Sequence, residues 1–359
     1  MDAVTTARAL ADIAGGVLGA VLRIAEREIA TAHGQLGGAG ADGPALHQWS
    51  PAGEAMLAVS EAVLAAPHAP AAPFGAEQPA TIGDWAVHAH ASSGMAILAY
   101  GSLGGSELGF SSDLDLVFVY DPARASGESD GRRPLEGTRY YARLAQRVVH
   151  LLDVPTRAGR LYAVDVRLRP DGSKGLLVLG LDAWEAYQRE RAWIWELQAL
   201  VRARAVAGDA MLARRFGEAR RSILAIPRDA AGVGGEVLAM RERWRGERDR
   251  SDAARFDLKQ GRGGLVDLEF LLQALVLQHA DRHPLLLDSG HSGELIGTLA
   301  SVGLIGAEDA AALGRAYASL LERSLRCTLD GRPRVVPRDE EIESSAAIVS
   351  ASLRSLLPG

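Results

Sequence analysis

Three things are scarce in this chain. There is one cysteine, Cys327, in 359 residues, so no disulfide can close within it, and a reducing compartment suits the composition. No apolar run reaches the roughly 18 residues that a membrane-spanning helix needs. The N-terminus also has no basic region ahead of an apolar stretch, so neither a secretory signal nor a span is expected, and the chain reads as cytoplasmic. Lysine is nearly missing: Lys174 and Lys259 are the only two among 39 basic residues. A net charge of −6 gives no global positive field to draw in nucleic acid, and no repeat of fixed period is present.

What remains is ordinary for a soluble globular chain with a large core: 48% hydrophobic and 23% charged residues. That balance excludes a disordered, collagen-like or disulfide-stapled protein, and the length suggests two or three domains. Four stretches can be told apart. Residues 1–34 interleave Arg8, Asp12, Arg23, Glu26, Arg27 and Glu28 with Ala, Leu and Ile at helical spacing. Residues 35–93 are rich in Gly, Ala and Pro and read as a linker or insertion holding one helix, 53–65. Residues 94–208 mix strands and helices. Residues 209–359 are helical in pattern, with breaks expected at Pro227, 232–235 and 289–293.

The third stretch repays closer reading. MAILAY (95–100) is an apolar run bounded by glycine, fitting a buried strand. LDLVFVY (114–120) is rich in β-branched and aromatic types and predicts a second. A turn at 131–134 leads to a helix over 135–153 with Tyr141, Leu144, Val148 and Leu151 on one stripe. LYAVDVRL (161–168) predicts a third strand and 176–179 a fourth. Asp182, with Glu185 three residues on, opens a further helix as a variant capping box. Strands alternating with helices and followed by a helical block imply an α/β or α+β unit joined to a bundle.

The densest chemistry lies in GSLGGSELGFSSDLDLVFVYD (101–121). Asp113 and Asp115 share one face of a strand, with Cα atoms roughly 6–7 Å apart. Two carboxylates so placed repel unless a cation sits between them, and a hard divalent ion takes such oxygen ligands together with substrate phosphates. Asp165, between Val164 and Val166, would complete a site for two ions about 3.5–4 Å apart. Gly101 and Ser102, after the first strand, free the backbone to approach a polyphosphate. The segment is neither a P-loop nor G-x-G-x-x-G. Alone, D-x-D is more often a turn or a cap and a glycine cluster more often a turn; in this order along the chain, the metal and nucleotide reading is favoured.

Four stretches carry a resemblance: 101–121; LYAVDVRLRPDGSKGLLV (161–178); AWIWELQALVRARAVAGD (192–209); and FDLKQGRGGLVDLEF (256–270). The glycine–serine turn, D-x-D and distal Asp are similar to the DNA polymerase β-type nucleotidyltransferases. With the opening helix, the four stretches more closely resemble the bacterial glutamine synthetase adenylyltransferase family of adenylylating/deadenylylating enzymes, and in wording their C-terminal, adenylylating half. The fold this implies is α+β: a polymerase β-like nucleotidyltransferase domain, a mixed sheet with flanking helices, followed by an all-α helical bundle. The activity it implies is transfer of AMP from ATP to a tyrosine hydroxyl of glutamine synthetase, releasing pyrophosphate and regulating nitrogen assimilation. Glutamine synthetase is then the protein substrate and a nitrogen-signalling protein the regulatory partner, with no nucleic acid and no membrane. The family commonly has Lys after the first Gly, where this chain has Ser102, and 34–93 is longer than the usual link.

The resemblance implies that Asp113 and Asp115 hold the Mg²⁺ carrying the ATP phosphates, and that Asp165 joins them on a second ion; Mn²⁺ is equally compatible. Gly101, Ser102 and Ser112 are the expected contacts to the triphosphate. Arg167 and Arg169, read as lying on the strand and face of Asp165, would stabilise the transferring group or form surface ion pairs. Lys174 and Lys259 both fall inside the recognised motifs and are further candidates for nucleotide binding. Asp267 and Glu269 read first as dipole-favouring residues at a helix start. Trp193, Trp195 and Glu196 read first as core, and second as packing on the nucleotide. His88 and His90 have no third ligand near them in sequence, and Cys327 reads as a small core residue. Two other classes stay open: another transferase with the same core, such as a uridylyltransferase or an RNA nucleotide-adding enzyme, and a non-catalytic interaction module. For an RNA substrate, the segment 189–262, with 17 basic and 11 acidic residues, offers only a modest local excess.

Overall fold

A computed structural model describes residues 2–37, 88–89, 94–155, 157 and 159–357. The expected helix over 53–65, most of 35–93 and His90 lie outside those residues.

The amphipathic opening forms α1 (Ala3–His33). Asp2 caps its start, accepting from the Thr5 amide at 2.9 Å, and Gly34 at φ +78° ends it. Its buried stripe is Ala7, Ala11, Ala14, Leu18, Leu22 and Ala25, spaced as one helical face must be. Those small residues let α1 lie close against α3 (Gly137–Asp153) and strand β6 (Arg204–Gly208).

The central strands are β2 (Met95–Ala99) and β3 (Leu114–Tyr120), antiparallel, with Met95 opposite Tyr120 and Ala99 opposite Leu116. On the far side of β2 lies β6, antiparallel, and beyond it the two-residue β1 (His88–Ala89). β4 (Val164–Asp165) runs parallel to the start of β3, and β5 (Val178–Gly180) parallel to its end. The sheet is therefore mixed. Side chains alternate across it. Met95, Ile97, Leu114, Leu116 and Phe118 pack with α1 and α3; Ala96, Leu98, Val117 and Val119 face the opposite way, into a core shared with the helices that follow. Asp113 and Asp115 belong by parity to this second face, so the apolar pattern itself aims them at the helical part of the molecule.

Helices α4 (Leu181–Glu190) and α5 (Ile194–Val201) cover that face with α6 (Ala210–Leu224). Next come α7 (Ala230–Arg248) and α8 (Leu265–His279). α8 is buried nearly all round, as a helix apolar on every side must be. α9 (Ser292–Ser301), α10 (Ala307–Leu329) and α11 (Glu340–Leu356) pack around it. With the short α2 (Gly101–Gly104), the described residues hold 11 α-helices and a small mixed sheet, an α+β arrangement. No described helix is long and apolar enough to cross a membrane. Cys327 is buried in α10, as a core residue.

Several boundaries differ from expectation. The region after 209 is not all-α: β7 (Arg255–Asp257) and β8 (Val335–Pro337) form a two-stranded antiparallel sheet. The glycines at 232–235 lie inside α7, because Asp229 accepts from the Gly232 amide at 2.9 Å and starts the helix before them. The strand expected over 161–168 shrinks to two residues; Leu161 is exposed, and the chain turns away directly after Asp165. The fourth strand starts at Val178, since Leu176 is also exposed. α3 starts at Gly137 with Glu136 as its cap, and its stripe ends on Leu152 rather than Leu151. Asp182 caps nothing: α4 begins at Leu181, and Asp182 pairs with Arg215 at 2.8 Å.

Candidate functional site

The register of β3 against β4 sets Asp115 beside Asp165. At the end of β2, the Tyr100 amide donates to the Asp115 carbonyl at 2.9 Å, so the next residue lies directly over that side chain. Gly101 has φ +54°, and a Cβ there would sit 2.3 Å from Asp115 Oδ2. No side chain fits between the turn and the carboxylate, and the backbone is left open. The other glycines of the cluster have a different task. A Cβ on Gly105 would lie 2.4 Å from the Arg202 guanidinium, so Gly105 makes room for a structural arginine rather than for a ligand.

Asp115 is pushed up to about 6, first by burial and then by the negative charge of Asp165, with Asp113 adding to it. Lys259 is the cation that opposes this most. Asp165 goes the other way. Arg167 Nε lies 3.0 and 2.9 Å from its two oxygens, and the Arg167 amide donates to Oδ1 at 2.8 Å. Those hydrogen bonds hold the Asp165 carboxyl below its ordinary range. Among the described residues, no three His, Cys, Asp or Glu side chains are gathered into a ready-made ligand group. Asp165 is instead turned onto Arg167. The donors at this edge are carboxylate oxygens, the type that hard divalent cations take, and uncompensated negative charge has collected around a partly buried Asp115.

The two arginines expected on the strand of Asp165 are not on it. Arg167 lies in the turn that follows and is largely exposed. Arg169 turns back into its own loop, donating to the carbonyls of Val166, Gly175 and Ser173. It fixes the loop that carries Asp165. Lys174 is exposed at the end of a 3-10 turn (Gly172–Lys174). Ser102, Ser112, Lys259 and Glu269, by contrast, meet around one recess of about 40 Å³. Arg334, which the sequence did not mark, lines the same recess, with Nη2 3.5 Å from Ser112 Oγ.

Trp193 and Trp195 are exposed, not core, and Glu196 closes the start of α5 by accepting from the Trp193 amide at 3.0 Å and from the Tyr187 hydroxyl at 3.0 Å. Asp267 lies in the first turn of α8, where a negative charge favours the helix dipole. It is fully buried and accepts from Arg241 Nε at 2.6 Å, Arg245 Nη2 at 2.8 Å and the Gly263 amide at 2.7 Å. Glu269 pairs with Arg202 at 2.8 Å, and Arg202 also holds the buried Glu107 at 2.6 Å. Burial works against the charge of Glu107, yet Arg202, His291 and Ser292 hold its carboxyl below the ordinary range. This clasp ties the loop after α2 to α5, α8 and the start of α9. No sequence signal distinguishes Arg202 or Arg334 from the other arginines of so arginine-rich a chain.

Comparison with known proteins adds to this geometry. Residues 53–219 match the family described as glutamate-ammonia ligase adenylyltransferase. Residues 237–334 match the one described as GlnD PII-uridylyltransferase. The chain is 58% identical over 257 residues to a bifunctional glutamine synthetase adenylyltransferase/adenylyl-removing enzyme of Xanthomonas campestris, a span covering 72% of this chain and 27% of that protein. It is 55% identical over 261 residues to the enzyme of the same name from Stenotrophomonas maltophilia, covering 73% and 28%. The enzyme of that name from Thioalkalivibrio sulfidiphilus is 46% identical over 255 residues, covering 71% and 26%. The matched stretch is thus little more than a quarter of the length of these relatives. The family match over residues 53–219 includes Asp113, Asp115 and Asp165, so the carboxylate edge is similar in sequence to the glutamate-ammonia ligase adenylyltransferases.

Proposed function

We propose that this chain transfers AMP from ATP to a tyrosine hydroxyl of glutamine synthetase. The observation that carries the reading is the pairing of Asp115 with Asp165 in register, two residues after Asp113 and beside the open Gly101 turn, within the span matched by the adenylyltransferase family. The mixed sheet with carboxylates at the start of β3 supports a polymerase β-like nucleotidyltransferase domain over 94–208, with a helical domain over 209–359. In the transfer, the tyrosine oxygen bonds to the α-phosphorus, the bond from that phosphorus to the bridging oxygen breaks, and pyrophosphate leaves as the tyrosine gives up its proton.

In this proposal each residue has a part. Gly101 leaves backbone room for phosphate over Asp115, and Ser102 and Ser112 offer hydroxyls at the recess. Lys259 brings an ammonium to Asp115 and to the incoming negative charge. Arg169 keeps the loop of Asp165 in place. Asp113, Asp115 and Asp165 would hold Mg²⁺ or Mn²⁺, which supplies Lewis acidity at the phosphates and lowers the pKa of the attacking hydroxyl. Asp165 must leave Arg167 to take part, and an exposed arginine can swing away at little cost.

A second reading is favoured by one observation. Residues 237–334 match a PII-uridylyltransferase family, which points to UMP transfer onto a signalling protein. That match covers only the helical region and contains none of the three carboxylates. Incubating the chain with α-labelled ATP or UTP, a divalent cation, and glutamine synthetase or PII protein separates the two. Label from ATP on glutamine synthetase is expected, and it should be lost in Asp113→Asn and Asp165→Asn with melting curves preserved. Full transfer in either variant, or label from UTP alone, would overturn the proposal.

A further inference from the structure

A cavity of about 710 Å³ opens beside the catalytic edge, between the loop at Ser111 and the β7–β8 sheet. Its size falls within the range of about 300–1,000 Å³ typical of small-molecule sites. Its walls carry Arg248, Arg250, Lys259, Arg332 and Arg334 against a single carboxylate, Asp257.

The small sheet explains how these cations come together. Asp257 pairs with Val335, and the Leu258 amide donates to the Arg334 carbonyl at 2.9 Å. Antiparallel pairing therefore sets Leu258, just after β7, opposite Arg334, just before β8, and brings the next residue, Lys259, to the same cavity wall although 75 positions separate it from Arg334. Neither cation makes a close ion pair among the described residues, although the charge of Glu269 reaches both. Arg334 has a buried Nε with no hydrogen-bond partner, and the reach of its Nη2 to Ser112 is 3.5 Å. Lys259 meets solvent through the cavity but is enclosed on its other sides, and that lost hydration, with the field of Arg334 added, pulls its ammonium below the ordinary lysine range. Asp257 offers little relief. Its Oδ1 accepts from the amides of Lys259 and Gln260, and its Oδ2 is 3.7 Å from Arg250. Converging cations, a desolvated guanidinium with an unused donor, and a cavity in front of them form a receptor for several negative charges on one ligand.

We infer that this cavity receives the polyphosphate of the nucleotide, with Arg334 and Lys259 as its inner contacts and Arg250 and Arg332 at its rim. The β7–β8 sheet is the element that builds it. The identity of the ligand rests on the proposed nucleotide transfer; the polyanion site itself does not. Phosphates held here lie next to Ser111 and Ser112, directly before the carboxylate-bearing strand, so the helical region supplies positive charge that the carboxylate edge lacks.

The test is calorimetric titration of the full chain with tripolyphosphate, with ATP and with adenosine at 0.15 M salt. Tripolyphosphate and ATP should bind and adenosine should bind far more weakly. Arg334→Gln should weaken tripolyphosphate about tenfold or more, the loss of a charge-assisted contact, while Arg334→Lys keeps most of the affinity. Arg250→Gln combined with Arg332→Gln, at largely exposed positions, should weaken it severalfold; this double variant decides the matter if Arg334→Gln does not melt cooperatively. Wild-type chain that ignores tripolyphosphate, or variants that bind it unchanged, would overturn the inference even with AMP transfer intact. Tripolyphosphate binding without AMP transfer to glutamine synthetase would instead overturn the proposed activity and leave the anion site standing.

Discussion

Asp115 and Asp267 are both carboxylates removed from bulk water, and the protein treats them in opposite ways. Asp267 is completely buried, yet two arginines and an amide surround it. Asp115 is less buried, yet its nearest charged company includes two other carboxylates, and it is pushed up to about 6. Burial alone therefore does not mark function. Where the fold itself needs a buried carboxylate, it supplies the compensating charge from neighbouring helices. Where compensation is left out, the missing charge must come from something that binds.

The comparison breaks most readily at Asp267. Asp267→Ala leaves Arg241 inside the helical core without an anion and Arg245 with Glu242 alone. Removing one partner of such a pair should cost about 3–5 kcal/mol, a fall in melting temperature of order 10 °C for a chain of this size. Thermal unfolding by circular dichroism measures it. A change within a degree would mean that the pair is no more than a surface ion pair in effect.

Asp115→Asn should do the reverse. A carboxyl whose folded pKa lies above its unfolded value destabilises the fold as pH rises between the two, and the deficit persists at higher pH. Here the window runs from about 3.9 in the unfolded chain to about 6 in the folded one. In metal-free protein at pH 8, Asp115→Asn should therefore melt higher than the parent, by an upper bound of about 3 kcal/mol, while losing AMP transfer. Below pH 4 the two should coincide. Equal stability at pH 8 would show that Asp115 is compensated after all.

How much of this was legible beforehand follows the range of each signal. Asp113, Asp115 and Gly101 are local features: two carboxylates at i and i+2 on an apolar strand reveal their shared face from spacing alone. The long helix α1 and the strand at 114–120 were readable for the same reason. Asp267 was legible as a residue at a helix start, but its partners Arg241 and Arg245 were not, because they lie on another helix. The β7–β8 sheet was missed because each strand is three residues long and lies about 80 positions from its partner, too short for any period to register. Arg334 was missed with it. The segment 189–262 shows in sequence only a modest excess of positive charge, yet Arg202, Arg220, Arg241 and Arg245 are buried. Arg220 is held by backbone carbonyls, donating to Leu200 at 3.1 Å and Leu287 at 2.8 Å. Those arginines join helices together, which an arginine's several donors do well and a lysine's point charge does poorly.

Asp165 stands between the two regimes and gives the finest test. It faces Asp115 in register, yet it has an arginine of its own from the exposed turn two residues on. An ion pair that open adds little to stability, so Arg167→Ala should leave the melting temperature unchanged. Its effect should fall on cation binding instead. With Arg167 gone, the Asp165 carboxylate is free to act together with Asp115, and one positive charge leaves the immediate neighbourhood. A unit charge removed at several ångströms in partly solvated surroundings changes the affinity for a divalent ion by about threefold to tenfold. Nucleotide-free protein titrated with Mn²⁺ and followed by electron paramagnetic resonance should show that tightening in Arg167→Ala, and Asp165→Asn in the same background should abolish it. Unchanged Mn²⁺ affinity would mean that Arg167 and a cation do not compete for Asp165, and that this carboxylate belongs with Asp267 among the compensated ones.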